Sequence, residues 1–70
     1  MQKNSEINWI DIYQIVDLLI QLHSNENPKT ISFVKLRELI VNLPNFKGDK
    51  NRCNEKILES IQMTWIDEIS

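Results

Sequence analysis

The sequence predicts a mainly α-helical fold, a small three-helix domain of helix-turn-helix or trimmed winged-helix type. Three observations lead there. Apolar residues recur at helical spacing within residues 9–23, 33–43 and 57–65. Two polar segments, SNENP and PNFKGDKNRC, separate them. The one stretch with a claim to extended structure, Thr30–Phe33, is too short to build a sheet. The chain of 70 residues reads as a single domain, 1–70, near the lower size at which a domain folds alone.

Asn8, with Asp11 three residues on, predicts the N-cap of the first helix. Its body, WIDIYQIVDLLIQLH, is apolar around most of its circumference; only Asp11, Gln14, Asp17 and Gln21 form a polar stripe. A helix of that kind is covered from two sides or by a partner. His23 closes its last turn, where partial positive charge suits the helix dipole. SNENP then breaks the helix. TISF is either a short extended segment near 30–33 or the point where Ser32 caps a second helix directly. Phe33, Leu36, Leu39, Ile40 and Leu43 mark the core side of that helix, which ends at Pro44. In the loop that follows, Phe46 is expected to turn inward beside the only glycine, Gly48. Asn54 predicts the cap of the third helix, with Glu55 in a first turn that favours an acid. Ile57, Leu58, Ile61 and Trp65 fall on one face and are expected in the core, with Trp65 against the first helix.

Composition excludes several classes of function. Net charge is −2 and the sequence pI about 5.2, so nothing globally basic invites nucleic acid. No apolar run approaches the roughly 18 residues that span a bilayer. The first eight residues lack the apolar stretch of a signal peptide and the arginines of a transit peptide. A lone cysteine, Cys53, excludes an internal disulfide framework and fits a reducing compartment. The expected location is the cytoplasm, an organelle of a eukaryote being the alternative.

Catalysis finds little support. Cys53 and His23 are the only candidates for a thiol–base pair, and they lie at the ends of different elements. Cys53 precedes a helix start, where a thiolate is favoured, yet a small residue before an N-cap explains it as well. There is no glycine-rich phosphate loop and no CxxC. An enzyme is not expected.

The alternative set by the fold is a helix-turn-helix nucleic-acid-binding domain. Its last helix would have to approach phosphates. Here that helix carries Glu55, Glu59, Asp67 and Glu68 against a single Lys56, so repulsion from a duplex dominates. Lys47, Lys50 and Arg52 cluster in the preceding loop and would serve as a wing-like phosphate contact, or simply as solvated surface.

The outward face of the third helix is better suited to protein. Glu59, Met63, Lys56 and Asp67 point away from the core face, with Glu55 and Ile66 at the margin. Met63 and Ile66 are apolar among charges, and an apolar pair inside a charged rim is the composition of a docking patch. The acids at the end of the helix are also out of place. A helix C-terminus favours cations, and an exposed acid there costs roughly 0.3–1 kcal/mol.

With these residues in view, the sequence resembles the IscX (YfhJ) family, small acidic proteins encoded with iron–sulfur cluster assembly machinery. The resemblance begins at Trp9 and Asp11 and runs through NPKTISF. It continues over Leu36, Ile40, Leu43, Phe46 and Asp49, then closes on NEKILE (Asn54–Glu59), Trp65, Asp67 and Glu68. It implies a modified winged-helix fold and a monomeric adaptor that docks its acidic face on a basic patch of a cysteine desulfurase. A ferredoxin and the frataxin homologue use the same patch, so competition with both is implied. Carried over by position, the acidic face comprises Asp11, Asp17, Glu55, Glu59, Asp67 and Glu68. The partner-binding residues are Glu55, Glu59, Met63, Ile66 and Asp67. The family is reported to bind iron weakly, which here assigns ferrous iron to Asp11, Glu59, Asp67 and Glu68. Several acids common in the family are absent: Asn25, Asn27, Asn42 and Lys35 stand in such places, and the loop reads FKGDK. Hard cations want several anionic oxygens together, so only weak iron binding is expected.

The expected function is therefore a non-enzymatic accessory or adaptor protein of iron–sulfur cluster assembly. It binds a cysteine desulfurase and modulates cluster formation, with no membrane or nucleic-acid partner. A plain iron donor is a further alternative.

Overall fold

The computed structural model describes residues 6–70. The expectation that residues 1–8 carry no targeting signal concerns, as far as Ser5, positions outside that range. The elements are α1 (Ile12–Leu22), α2 (Phe33–Val41), a 3-10 turn (Lys50–Arg52) and α3 (Glu55–Ile69). This is the three-helix domain expected, and the described residues contain no strand. No described helix is long and apolar enough to cross a membrane.

α1 begins three residues later than the cap at Asn8 implied. The Asn8 backbone N–H donates to Asp11 Oδ2 at 2.8 Å, and the Asp11 N–H returns a bond to the Asn8 carbonyl at 2.9 Å. These two bonds close a turn, so Asp11 occupies the cap position and Trp9 lies outside the helix. Tertiary contact overrides local capping. Trp9 is buried, its indole Nε1–H donates to the Asp49 carbonyl at 2.8 Å, and its ring meets Phe46 edge-on at 4.9 Å. Beside it, the Ile7 N–H donates to the Asn45 carbonyl and the Lys47 N–H to the Ile7 carbonyl, forming one isolated parallel bridge between Ile7 and Phe46. Asn45 sits at φ 66°, the left-handed region that asparagine tolerates better than most residues.

Gly48 is required by this packing. A Cβ there would lie 2.6 Å from Phe46 Cζ and 2.9 Å from Trp9 Cδ1, and both rings are held by their own contacts. Gly48→Ala is expected to destabilise the domain by on the order of 1–3 kcal/mol through overpacking. The loss should read as a fall in Tm of roughly 4 °C or more. An unchanged Tm would mean that the rings move aside freely.

The stretch 30–33 resolves in favour of the helix cap, without an extended strand. Thr30 and Ile31 donate their N–H groups to the Asn27 carbonyl, turning the chain, and Ser32 Oγ accepts from the Lys35 N–H at 3.1 Å. Pro28 is buried within this turn, and its carbonyl accepts from Gln62 Nε2 at 2.8 Å, which ties the turn to α3. At the other end of α2, Asn42 Nδ2 donates to the Glu38 carbonyl just ahead of Pro44. Asp49 caps the 3-10 turn by accepting from the Asn51 N–H, and Asn54 caps α3 by accepting from the Ile57 N–H at 2.9 Å.

One core joins these elements: Ile7, Trp9, Ile15, Val16, Leu19, Leu36, Ile40, Leu43, Leu58, Ile61 and Trp65. α3 packs mainly on α1 and less on α2. Ile57, expected fully in the core, is only partly buried against it. The domain itself covers α1 only in part: Tyr13 and Leu22 face solvent, as does Ile10 just ahead of it.

Candidate protein-docking site

α3 presents two faces. Leu58, Ile61 and Trp65 are buried, and one turn of helix separates each from the next. The opposite arc carries Lys56, Glu59, Met63 and Asp67, all exposed, with exposed Glu55 and half-buried Ile66 along one edge. Met63 is 59% exposed in the middle of this arc. All five residues assigned to partner binding therefore share one side of the domain, away from the core.

Among the described residues the acids of this face form no ion pair, and Lys56 is the single basic residue on it. Among the described residues the only ion pair joins Lys35 Nζ to Glu26, at 3.7 Å. Glu55 and Glu59 stand one turn apart and repel weakly. The last turn of α3 has no basic residue to offset Asp67 and Glu68. A neutral hydroxyl meets one carbonyl of that last turn, Ser70 Oγ donating to the Ile66 carbonyl at 2.6 Å.

Two depressions flank α3. One of about 200 Å³ is lined by Phe33, Val34, Arg37, Cys53, Glu55 and Leu58, at the N-terminal end of the helix. Cys53 is half-buried there, and burial pushes its thiol pKa up while the Arg37 guanidinium pulls it down more weakly. The thiol form is thus favoured, which suits a packing role better than a nucleophile. The other depression, about 250 Å³, lies between α1 and the C-terminal turn of α3 and is lined by Tyr13, Gln14, Val16, Asp17, Ile20 and Glu68. It brings Glu68 to the polar stripe of α1. Tyr13 belongs to this site, and the signal for it in the sequence is its place one turn before Asp17, at the edge of the polar stripe of α1.

The four carboxylates assigned to iron are not gathered. Asp11 is half-buried at the start of α1 and already accepts from the Asn8 N–H, while Glu59, Asp67 and Glu68 lie on α3. Among the described residues no three His, Cys, Asp or Glu side chains form a group that could hold a metal ion. The donor set does not fit a resident iron centre.

Comparison with known proteins agrees with the resemblance in the sequence. An uncharacterised protein of Pseudomonas aeruginosa is 39% identical over 62 residues, covering 89% of this chain and 94% of the relative. The family model described as iron–sulphur cluster assembly matches residues 7–70, nearly everything from the Ile7 bridge to the end of α3. The chain belongs to the iron–sulphur cluster assembly family, the IscX (YfhJ) family that its motifs resemble.

Proposed function

We propose that the protein is a monomeric, non-enzymatic adaptor of cluster assembly that docks on a basic surface of a cysteine desulfurase through the outer face of α3. The observation that carries this reading is the exposed Met63, with Ile66 beside it, set among Glu55, Glu59 and Asp67, none ion-paired within the described chain. Unpaired surface charge steers encounter with a partner of opposite sign, and the apolar pair slows departure. Bound there, the adaptor modulates cluster formation by occupying the desulfurase surface, in competition with a ferredoxin or a frataxin homologue. We place this activity in the bacterial cytoplasm.

Salt dependence tests it. Raising ionic strength from about 50 to about 300 mM shortens the Debye length from roughly 14 Å to roughly 6 Å. Biolayer interferometry on an immobilised cysteine desulfurase should then show a lower association rate and a nearly constant dissociation rate. Salt-independent association would remove the electrostatic basis of the proposal.

Iron has a minor place in this reading. Asp67 and Glu68, with Glu59 two turns before Asp67, offer few hard oxygens in one locality. Anaerobic titration with ferrous iron is expected to give micromolar or weaker affinity, and a submicromolar site would contradict this.

A further inference from the structure

We infer that the cleft between α1 and the C-terminal turn of α3 receives an arginine side chain of a protein partner. The identity of that partner rests on the docking function proposed above; the cleft itself does not. Its walls are Tyr13, Val16 and Ile20, and its two charged groups, Asp17 and Glu68, are both acidic. Neither acid has an ion-pair partner among the described residues. Asp17 uses Oδ2 to accept from Gln21 Nε2 at 3.0 Å, which orients the carboxylate and leaves Oδ1 open. The volume, about 250 Å³, is roughly eight times the share of one water in the liquid, so the space admits a long side chain.

The lining selects the occupant. An apolar side chain would leave two carboxylates facing a desolvated rim, and an acidic one would be repelled. A cationic side chain with an aliphatic stem satisfies both parts: the stem lies on Val16 and Ile20, and the charge reaches Asp17 and Glu68. Tyr13 favours guanidinium over ammonium, because the flat group stacks on an aromatic face while its N–H fork still bonds a carboxylate. Tyr13 is 75% exposed, which leaves its ring available to a partner. The cleft also accounts for Glu68 at a helix end that disfavours acids: its role lies with an external cation.

The experiment uses the full chain, 15N-labelled, titrated with the peptide acetyl-Gly-Arg-Gly-amide and, as control, the same peptide with glutamine in place of arginine. Arginine-dependent shifts are expected in residues 13–21 and 66–70, with none from the control. Tyr13→Ser should weaken binding by roughly two- to fivefold through loss of the cation–π contact. Asp17→Asn should weaken it at least as much. Both positions are exposed, so retained spectral dispersion will show that the variants fold. Shifts centred on Glu55 and Glu59, equal response to the control, or an unaffected Tyr13→Ser variant would each overturn the inference. Measuring Tyr13→Ser against the desulfurase separates the two levels of the argument. If the parent binds no desulfurase while the peptide response holds, the docking partner is wrong and the cleft stands. If the variant binds the desulfurase at parental rates, docking stands and the cleft is not part of it.

Discussion

Trp65→Ala is expected to leave a domain that is marginally folded or unfolded at 25 °C. Trp65 is 1% exposed and sits in the single core formed where α3 packs on α1. Truncating a buried tryptophan costs roughly 3–5 kcal/mol in lost transfer energy and cavity formation. At about 0.05–0.15 kcal/mol per residue, a domain of this length has only roughly 3.5–10 kcal/mol of stability in total. Circular dichroism should show either no cooperative thermal transition or a Tm lower by more than about 12 °C. Met63→Ala is the matched control, since an exposed site away from the core should change stability by no more than about 0.5 kcal/mol. If the tryptophan variant melts within a few degrees of the parent, its place in the core is wrong.

The core of α2 and α3 was legible because helical burial is periodic. Leu36, Ile40, Leu58, Ile61 and Trp65, with Leu43 just beyond α2, follow from spacing alone and are buried, while Phe33, Leu39 and Ile57, read onto the same faces, are only partly buried. The cap at Asn54 was legible for a related reason, and Ser32 stood as one of two readings of TISF. Each joins a side chain to an N–H three residues away, and such short-range bonds leave a local signature. The start of α1 was not legible. Trp9 turns inward to reach Asp49, a partner 40 residues away, and no local rule encodes that choice. The same long-range contact fixes the need for glycine at position 48, since only the apposed rings of Trp9 and Phe46 exclude a Cβ.

The candidate site divides the same way. The outer face of α3 could be drawn from one helical period, and the structure leaves Glu55, Glu59, Met63 and Asp67 exposed on it. The meeting of Glu68 with Tyr13 and Asp17 depends on how α3 crosses α1, so it appears only once the helices are packed. The apolar circumference of α1 left open whether the helix is covered from two sides or by a partner. Tyr13 and Leu22 count as core residues by type, but one three-helix core has room for only part of so apolar a helix.

Reversing Glu59 and Asp67 to lysine is expected to abolish desulfurase binding and to leave the fold intact. Both side chains are exposed and lie off the face that carries Leu58, Ile61 and Trp65. The double variant converts two attractive charges into repulsive ones at the centre and edge of the proposed interface. Its effect on the helix runs the other way. Glu59→Lys exchanges a repulsion from Glu55 for one from Lys56, three residues earlier, and Asp67→Lys places a cation in a last turn that has none. The second change alone favours the helix by roughly 0.3–1 kcal/mol. A variant at least as stable as the parent, yet unable to bind, would show that these acids are retained for a partner at some cost to the helix. Met63→Asp should act differently, since it keeps the sign of the surface and removes apolar contact. Association should stay near the parental rate while dissociation accelerates. Thermal melting and biolayer interferometry on the same preparations read both quantities. Should the double reversal fold normally and bind with parental affinity, the outer face of α3 is not where the desulfurase docks.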